Sequence, residues 1–196
     1  MHKKLKLKYD FEFNSLGVEN FNHSKKIQFY FDFIKENNRN SGGDIYEFGV
    51  FQGKSLLSTA LFLKKLKSKK KIYGFDSFEG FPSYHKYDDI KYFSQLFKNK
   101  KITKEHYNLI NLSIFIKKNF YKKKLSADKI SSSENFSNTS YAELKRKIKL
   151  LELDNIVLIK GDFKKTVPKF FKKKKKIFVA NIDCDLYEGY RVILPH

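Results

Sequence analysis

Four short β-prone runs, each stopping at or beside a glycine or an aspartate, leave this chain few folds to choose from. The first, Asp44-Ile-Tyr-Glu-Phe-Gly-Val50, breaks at glycine and leads into Gly53-Lys-Ser-Leu-Leu-Ser-Thr-Ala-Leu-Phe-Leu63, a helix with an apolar stripe. The second, Lys71-Ile-Tyr-Gly-Phe-Asp76, ends in an acid. The third, Asn155-Ile-Val-Leu-Ile-Lys160, runs into Gly161-Asp162, and the fourth, Lys176-Ile-Phe-Val-Ala-Asn-Ile-Asp183, again ends in an acid. A helix over Tyr141–Leu153 precedes the third run; Ser140 and Glu143 stand at capping-box spacing, and Leu144, Ile148 and Leu151 form its buried stripe. Strands alternating with helices predict a doubly wound, mostly parallel α/β sheet of Rossmann-like type. In such sheets ligands sit outside the carboxyl ends of the strands, where these glycines and acids fall.

The rest of the chain is read as dependent on that sheet, within one domain over residues 1–196. Residues 1–14 mix lysines with Tyr9, Phe11 and Phe13 and read as an extended arm; Phe21–Asn37 reads as a helix on Ile27, Phe31 and Ile34, so that 1–40 is an arm and a helix. Residues 83–139 interrupt the strand–helix alternation with weakly helical patches at Tyr92–Phe97 and Tyr107–Phe120. An insertion of that length is either a lid facing a substrate or a surface excursion.

The charge is the loudest compositional signal: 41 Lys plus Arg against 21 Asp plus Glu, a net of +20. Clustered cations gain counterion-release energy on phosphate, so a nucleic-acid partner is the first reading. The arginines, however, are only Arg39, Arg146 and Arg191, and lysine cannot reproduce the planar fork that reads base edges. The lysines are also spread along the chain, and Phe, Tyr, Ile and Asn are abundant with them, the pattern of an AT-rich genome. This weighs against nucleic acid as a partner. No apolar run approaches a membrane span, and no apolar stretch with a cleavage site follows the basic start, so the expected location is the cytoplasm. The single cysteine, Cys184, excludes an internal disulfide; without an adjacent base it reads as a packing residue.

Chemistry enters at the strand ends. Glu47-Phe-Gly49-Val-Phe-Gln-Gly53 differs from the Gly-x-Gly-x-x-Gly dinucleotide pattern and adds an acid two residues before the first glycine. Gly49 permits a tight turn and close approach of backbone to ligand, and Gly53 opens a helix with free N–H groups. Glu47 repels a pyrophosphate but suits an ammonium, and S-adenosylmethionine carries an amino group, a sulfonium and no phosphate. Asp76 stands where an acid accepts ribose hydroxyls, or else caps the following turn. Asp162 either nears an adenine amino group or belongs to a plain turn. Asp183 and Asp185 offer oxygens to a hard cation such as Mg²⁺, or cap the helix beginning near Leu186.

Four segments occur in order: Asp44–Gly53, Tyr73-Gly-Phe-Asp-Ser-Phe-Glu-Gly-Phe-Pro82, Lys160-Gly-Asp-Phe-Lys-Lys-Thr-Val-Pro168 and Asn181-Ile-Asp-Cys-Asp-Leu-Tyr-Glu188. Together they resemble the macrocin (mycinamicin) O-methyltransferase family of class I, S-adenosylmethionine-dependent enzymes. The resemblance covers roughly residues 20–82 and 141–194, and the Phe-Asp-Ser-Phe-Glu-Gly-x-Pro block is its most specific part. It implies Mg²⁺-assisted methylation of a hydroxyl, often on a sugar, with Glu47, Gly49, Gly53, Asp76, Ser77 and Asp162 lining the cofactor site and Asp183 holding the metal. The family continues beyond the point reached at His196 with further strands and an Asp-Asp pair that completes the metal site. The expectation is therefore a C-terminally truncated chain with an incomplete sheet and metal site. Asp88-Asp89, inside the insertion, receives no role. Two rivals stand beside this reading: a nucleic-acid methyltransferase using the basic surface, and a remnant that binds cofactor without catalysis.

Overall fold

The structure, a computed structural model, describes residues 6–120, 122, 125–126 and 134–196. They fall into two compact units, Met1–Phe78 with Ser140–Asp183, and Glu79–Thr139 with Cys184–His196.

The first unit is the predicted α/β sheet. Four strands, β1 (Asp44–Phe48), β2 (Ile72–Asp76), β3 (Ile156–Lys160) and β4 (Ile177–Ile182), pair in parallel in the order β3-β2-β1-β4. Parallel neighbours require crossovers, and helices supply them: α3 (Lys54–Lys65), α6 (Tyr141–Leu150) and α7 (Phe163–Phe171). Because helices cover both faces, β1 is buried from Ile45 through Phe48 rather than alternating with water. On one face Ile45 and Ile72 join a core with Leu56, Leu57, Ala60 and Leu63 of α3, and with Phe31 and Ile34 of α2 (Gln28–Asn37). Each such side chain gains about 1.5–3 kcal/mol from leaving water. The other face is aromatic: Tyr46, Phe48, Tyr73 and Phe75 meet Phe170 and Phe171 of α7, with Phe75–Phe170 edge-on at 5.1 Å. The register sets Phe48 opposite Phe75 on β2 and Ile182 on β4, which brings the carboxyl ends of the central strands to one edge.

The N-terminal segment departs from the expected extended arm. Asp10–Leu16 forms helix α1, closed by Gly17 in the left-handed region, and it buries Phe13 edge-on against Phe21 at 5.0 Å. Glu12 stabilises its start by accepting the backbone N–H groups of Lys6, Leu7, Lys8 and Tyr9, and these bonds lower its pKa. The next helix also starts later than Phe21: α2 begins at Gln28, whose side chain accepts the Ser24 N–H and so holds the preceding residues in turns. Here local side-chain acceptors outweigh apolar spacing.

The second unit holds a 3₁₀ turn (Lys86–Asp88), α4 (Tyr92–Lys98), α5 (Lys104–Phe115) continuing as a π-turn over Ile116–Phe120, and α8 (Tyr187–Ile193). Most of the described insertion is thus helical, with Phe97 of α4 stacked on Tyr107 of α5 at 4.6 Å. Residues 121, 123–124 and 127–133 of the insertion lie outside the described residues. Among the described residues, no helix is long and apolar enough to cross a membrane.

Candidate cofactor site

Strand order places the site. β1 has β2 on one side and β4 on the other, so the strand order reverses there, and in such sheets the carboxyl edge at the reversal is where ligands bind. Glu47, Gly49, Asp76, Asp162 and Asp183 all belong to the ends of these four strands or the turns that follow them.

Glu47 is fully buried, on the strand side that faces α3. Ser55 in the first turn of α3 donates its hydroxyl to Oε1 at 2.8 Å, and Asn181 of β4, level with Glu47 in register, donates to Oε2 at 3.5 Å. Burial pushes its pKa up to about 7 against the pull of those two hydrogen bonds, and the negative charges of Asp183 and Asp76 push the same way. Its hydrogen bonds come from neutral donors, without a lysine or arginine among them. A buried carboxylate bonded to neutral donors is poorly compensated when ionised. Sequence reasoning missed Ser55 and Asn181. Asn181 had a visible signal, a polar amide in the interior of an otherwise apolar strand.

The turn after β1, at the same edge, holds left-handed backbone. Gly49 has φ +91°, Phe51 has φ +52° and Gly53 has φ +81°. Phe51 is no glycine, and its left-handed backbone is held by Asp76, whose Oδ2 accepts the Phe51 N–H at 2.8 Å. Asp76 Oδ1 accepts the Phe78 N–H at 2.6 Å, and Ser77 Oγ lies 3.4 Å from the same oxygen. Asp76 thus caps the following turn: the Phe78 N–H and the Ser77 hydroxyl fill Oδ1, while Oδ2, which takes the Phe51 N–H, keeps one lone pair. Gly53 is fixed by packing as well as by φ, since a Cβ there would lie 2.5 Å from Leu144 Cδ1 of α6. Gly53→Ala is expected to cost about 1–2 kcal/mol of stability by denaturant unfolding, from the left-handed backbone and the displaced leucine. An unchanged midpoint would show that the loop relaxes freely.

Asp162 is brought to the same edge but acts as the N-cap of α7, its Oδ1 accepting the Lys164 N–H at 2.9 Å. Asp183 follows β4 and is tied to β1 through its N–H, donated to the Phe48 carbonyl at 2.9 Å. Its side chain is exposed. Asp185 belongs to the second unit and adopts φ +57°. Among the described residues, no group of three or more His, Cys, Asp or Glu side chains is suited to hold a metal ion. Cys184, between the two aspartates, is buried, and its Sγ would lie 2.6 Å from a Cβ at Gly189.

No protein-family profile matches the chain, and no curated protein matches it. Solved structures do. The chain is similar to CalS11, a calicheamicin methyltransferase, with a TM-score of 0.55 and 19% identity over 95% of this chain and 60% of that one. It is similar to the O-methyltransferase NovP with a TM-score of 0.53 and 19% identity over 84% of this chain and 54% of that one. The chain thus spans just over half the length of these two proteins. At this identity the likeness concerns architecture: the chain has the Rossmann-like α/β fold found in methyltransferases.

Proposed function

We propose that the chain carries the S-adenosylmethionine site of an O-methyltransferase that acts on a hydroxyl of a sugar or glycosylated small molecule. Its sequence resembles the macrocin O-methyltransferase family, and the names of its two structural neighbours are those of methyltransferases. The observation that carries the reading is Glu47: a buried acid at the end of the central strand, bonded to neutral donors and with two more acids adding negative potential. That setting favours a compact organic cation over a phosphate.

The roles follow from the chemistry of each group. Glu47 takes the ammonium, Asp76 accepts a ribose hydroxyl on the remaining lone pair of Oδ2, and the turn at Gly49 and Gly53 lets the ligand approach the backbone. Ser77 and Asp162 border the nucleoside end. Bound S-adenosylmethionine supplies an electrophilic methyl on its sulfonium. The protein's task is then to hold that ligand in one orientation and keep its charges matched, so that an acceptor oxygen meets the methyl in line. Mg²⁺ enters this reading through Asp183 and Asp185 only. Two carboxylates do not make a closed site, so no step of the transfer is drawn through the ion.

Calorimetry tests this division. S-adenosylmethionine is expected to bind in the presence of a chelator, and Asp183→Asn is expected to change that affinity by less than about threefold, as for a charge outside hydrogen-bond reach of the ligand. Binding that requires Mg²⁺, or that collapses in Asp183→Asn, would show that cofactor and metal share one site. Absence of binding under both conditions would remove the methyltransferase reading itself.

A further inference from the structure

Positive charge that is spread along the sequence is gathered by the fold at the amino edge of the sheet, opposite the candidate cofactor site. All four strands start at that edge, so the turns entering β1, β2 and β4 meet there. Those turns carry Arg39, the lysines at 67 and 69–71, and the run Lys172–Lys176. Between the first two turns opens a cavity of about 480 Å³, lined by four cationic side chains, Arg39, Lys67, Lys69 and Lys70, against one carboxylate, Asp44. None of the roles above uses it.

The walls are braced by their own hydrogen bonds. The Ser68 hydroxyl donates to Asn38 Oδ1 at 2.7 Å and accepts the Lys70 N–H at 3.2 Å, which ties the two turns together. Asn38 Nδ2 remains as a donor on the lining. The Lys70 ammonium donates to the Ser41 carbonyl and, at 3.0 Å, to the Gly43 carbonyl. Lys176 folds over the same turn, where a Cβ at Gly42 would lie 2.9 Å from its Nζ. Burial lowers the Lys70 pKa, and Lys176 pushes the same way against the pull of Asp44. Two ammonium groups thus crowd one turn beside a single carboxylate, whose Oδ1 already accepts the Lys71 N–H at 2.9 Å. Among the described residues, Arg39, Lys67, Lys69 and Lys70 form no ion pair. Positive charge is therefore left in excess around a concave space, a setting that draws in a compact ligand with several negative charges.

The residue types narrow the class of anion. Lysines are point charges that suit phosphate oxygens, and the one arginine adds a fork for a phosphate edge. No aromatic ring lines the cavity, and Phe178 nearby already carries the Lys70 ammonium at 4.3 Å and the Phe33 ring at 5.6 Å. Proteins that hold single-stranded nucleic acid pair a basic groove with open rings on which bases stack. This lining supplies the charge without the rings, so it suits phosphates and not bases. We propose that the cavity at the amino edge of the sheet binds an oligophosphate, a short run of linked phosphates either free or at the end of a nucleotide. The site is independent of the cofactor reading, since it lies at the other edge of the sheet.

The test is titration of the full chain with sodium tripolyphosphate, ATP and a short single-stranded RNA at low ionic strength, followed by calorimetry and by amide nuclear magnetic resonance. Tripolyphosphate is expected to bind saturably and to shift the amide signals of residues 38–44 and 67–70 ahead of the rest of the backbone. Arg39→Gln combined with Lys67→Gln is expected to weaken it about tenfold, as for two exposed charge contacts. Lys98→Gln combined with Lys101→Gln removes the same charge from the second unit and is expected to change the affinity by less than about twofold. Equal losses in the two double variants overturn the proposal and leave only diffuse attraction to the net charge. So do wild-type amides at 38–44 and 67–70 that ignore tripolyphosphate, a result that needs no variant to fold. ATP, judged at the same amides, separates the sources: equal affinity marks a site for the free phosphate chain, and tighter binding marks one for a nucleotide. RNA that shifts these amides where tripolyphosphate does not overturns the proposal in favour of a nucleic acid.

Discussion

Asp76→Ala is expected to lower the affinity for S-adenosylmethionine roughly ten- to a hundredfold, the 1.5–3 kcal/mol of a hydrogen bond to a charged group. It is also expected to destabilise the chain without ligand, because the same carboxylate receives the Phe51 and Phe78 N–H groups. Leaving two backbone donors unanswered costs about 1–3 kcal/mol each where water is excluded, and less here, where the residue is half-buried. Asp76→Asn separates the two effects. Its amide oxygen still accepts one of the N–H groups, so part of the stability returns, while the loss of charge keeps cofactor binding weak. Denaturant unfolding and calorimetry on the two variants read both quantities. Lower stability with unchanged cofactor affinity would leave Asp76 as a turn cap and remove it from the ribose.

Much of the fold could be read from the chain because the relevant signals are local and repeated. A buried parallel strand shows itself as an apolar run, and all four runs became strands of one sheet. Of the capping box that Ser140 and Glu143 predict, one half forms: Ser140 accepts the Glu143 N–H at 3.2 Å, while the Glu143 carboxylate lies 3.6 Å from Lys147 Nζ instead of closing the box. Helix α1 escaped because its partners are distant: Phe13 finds Phe21 only after the chain turns, and Glu12 is an ordinary acid until four N–H groups converge on it. The same distinction governs the site. Acids at strand ends are visible in sequence, but which of them is buried depends on the neighbouring strand and helix. Nothing in the order of residues says that Asn181 lies level with Glu47, that Ser55 reaches it, or that Asp162 caps α7. The hydrogen bond from the Tyr187 N–H to the Asp88 carboxylate is the extreme case, since the two residues are 99 positions apart.

Glu47→Gln is expected to make the chain more stable and a worse binder at once. In the folded chain burial holds the Glu47 pKa at about 7, above its ordinary value of 4.5. The folded state therefore keeps a proton that the unfolded state has released over that interval, and stability falls as pH rises from 4.5 to 7. Below this window both states are protonated and the favourable difference is complete; above it the buried carboxylate is ionised and the difference, about 3 kcal/mol, is gone. Glutamine keeps the shape and the Ser55 hydrogen bond without the charge, so the variant should gain on the order of 3 kcal/mol over wild type at pH 8 and almost nothing at pH 4.5. Binding runs the other way. An ammonium lowers the Glu47 pKa, so wild-type affinity for S-adenosylmethionine should rise from about pH 5.5 to 7.5 with release of a proton. Above that range the ligand's own amino group begins to lose its charge. In Glu47→Gln the affinity should be weak and nearly flat across the same range. Calorimetry in two buffers of different ionisation enthalpy counts the proton, and unfolding at the two pH values measures the gain. A variant that is less stable at pH 8 yet binds as well as wild type would make Glu47 a structural acceptor for Ser55 and Asn181, and the ammonium would have to be sought elsewhere.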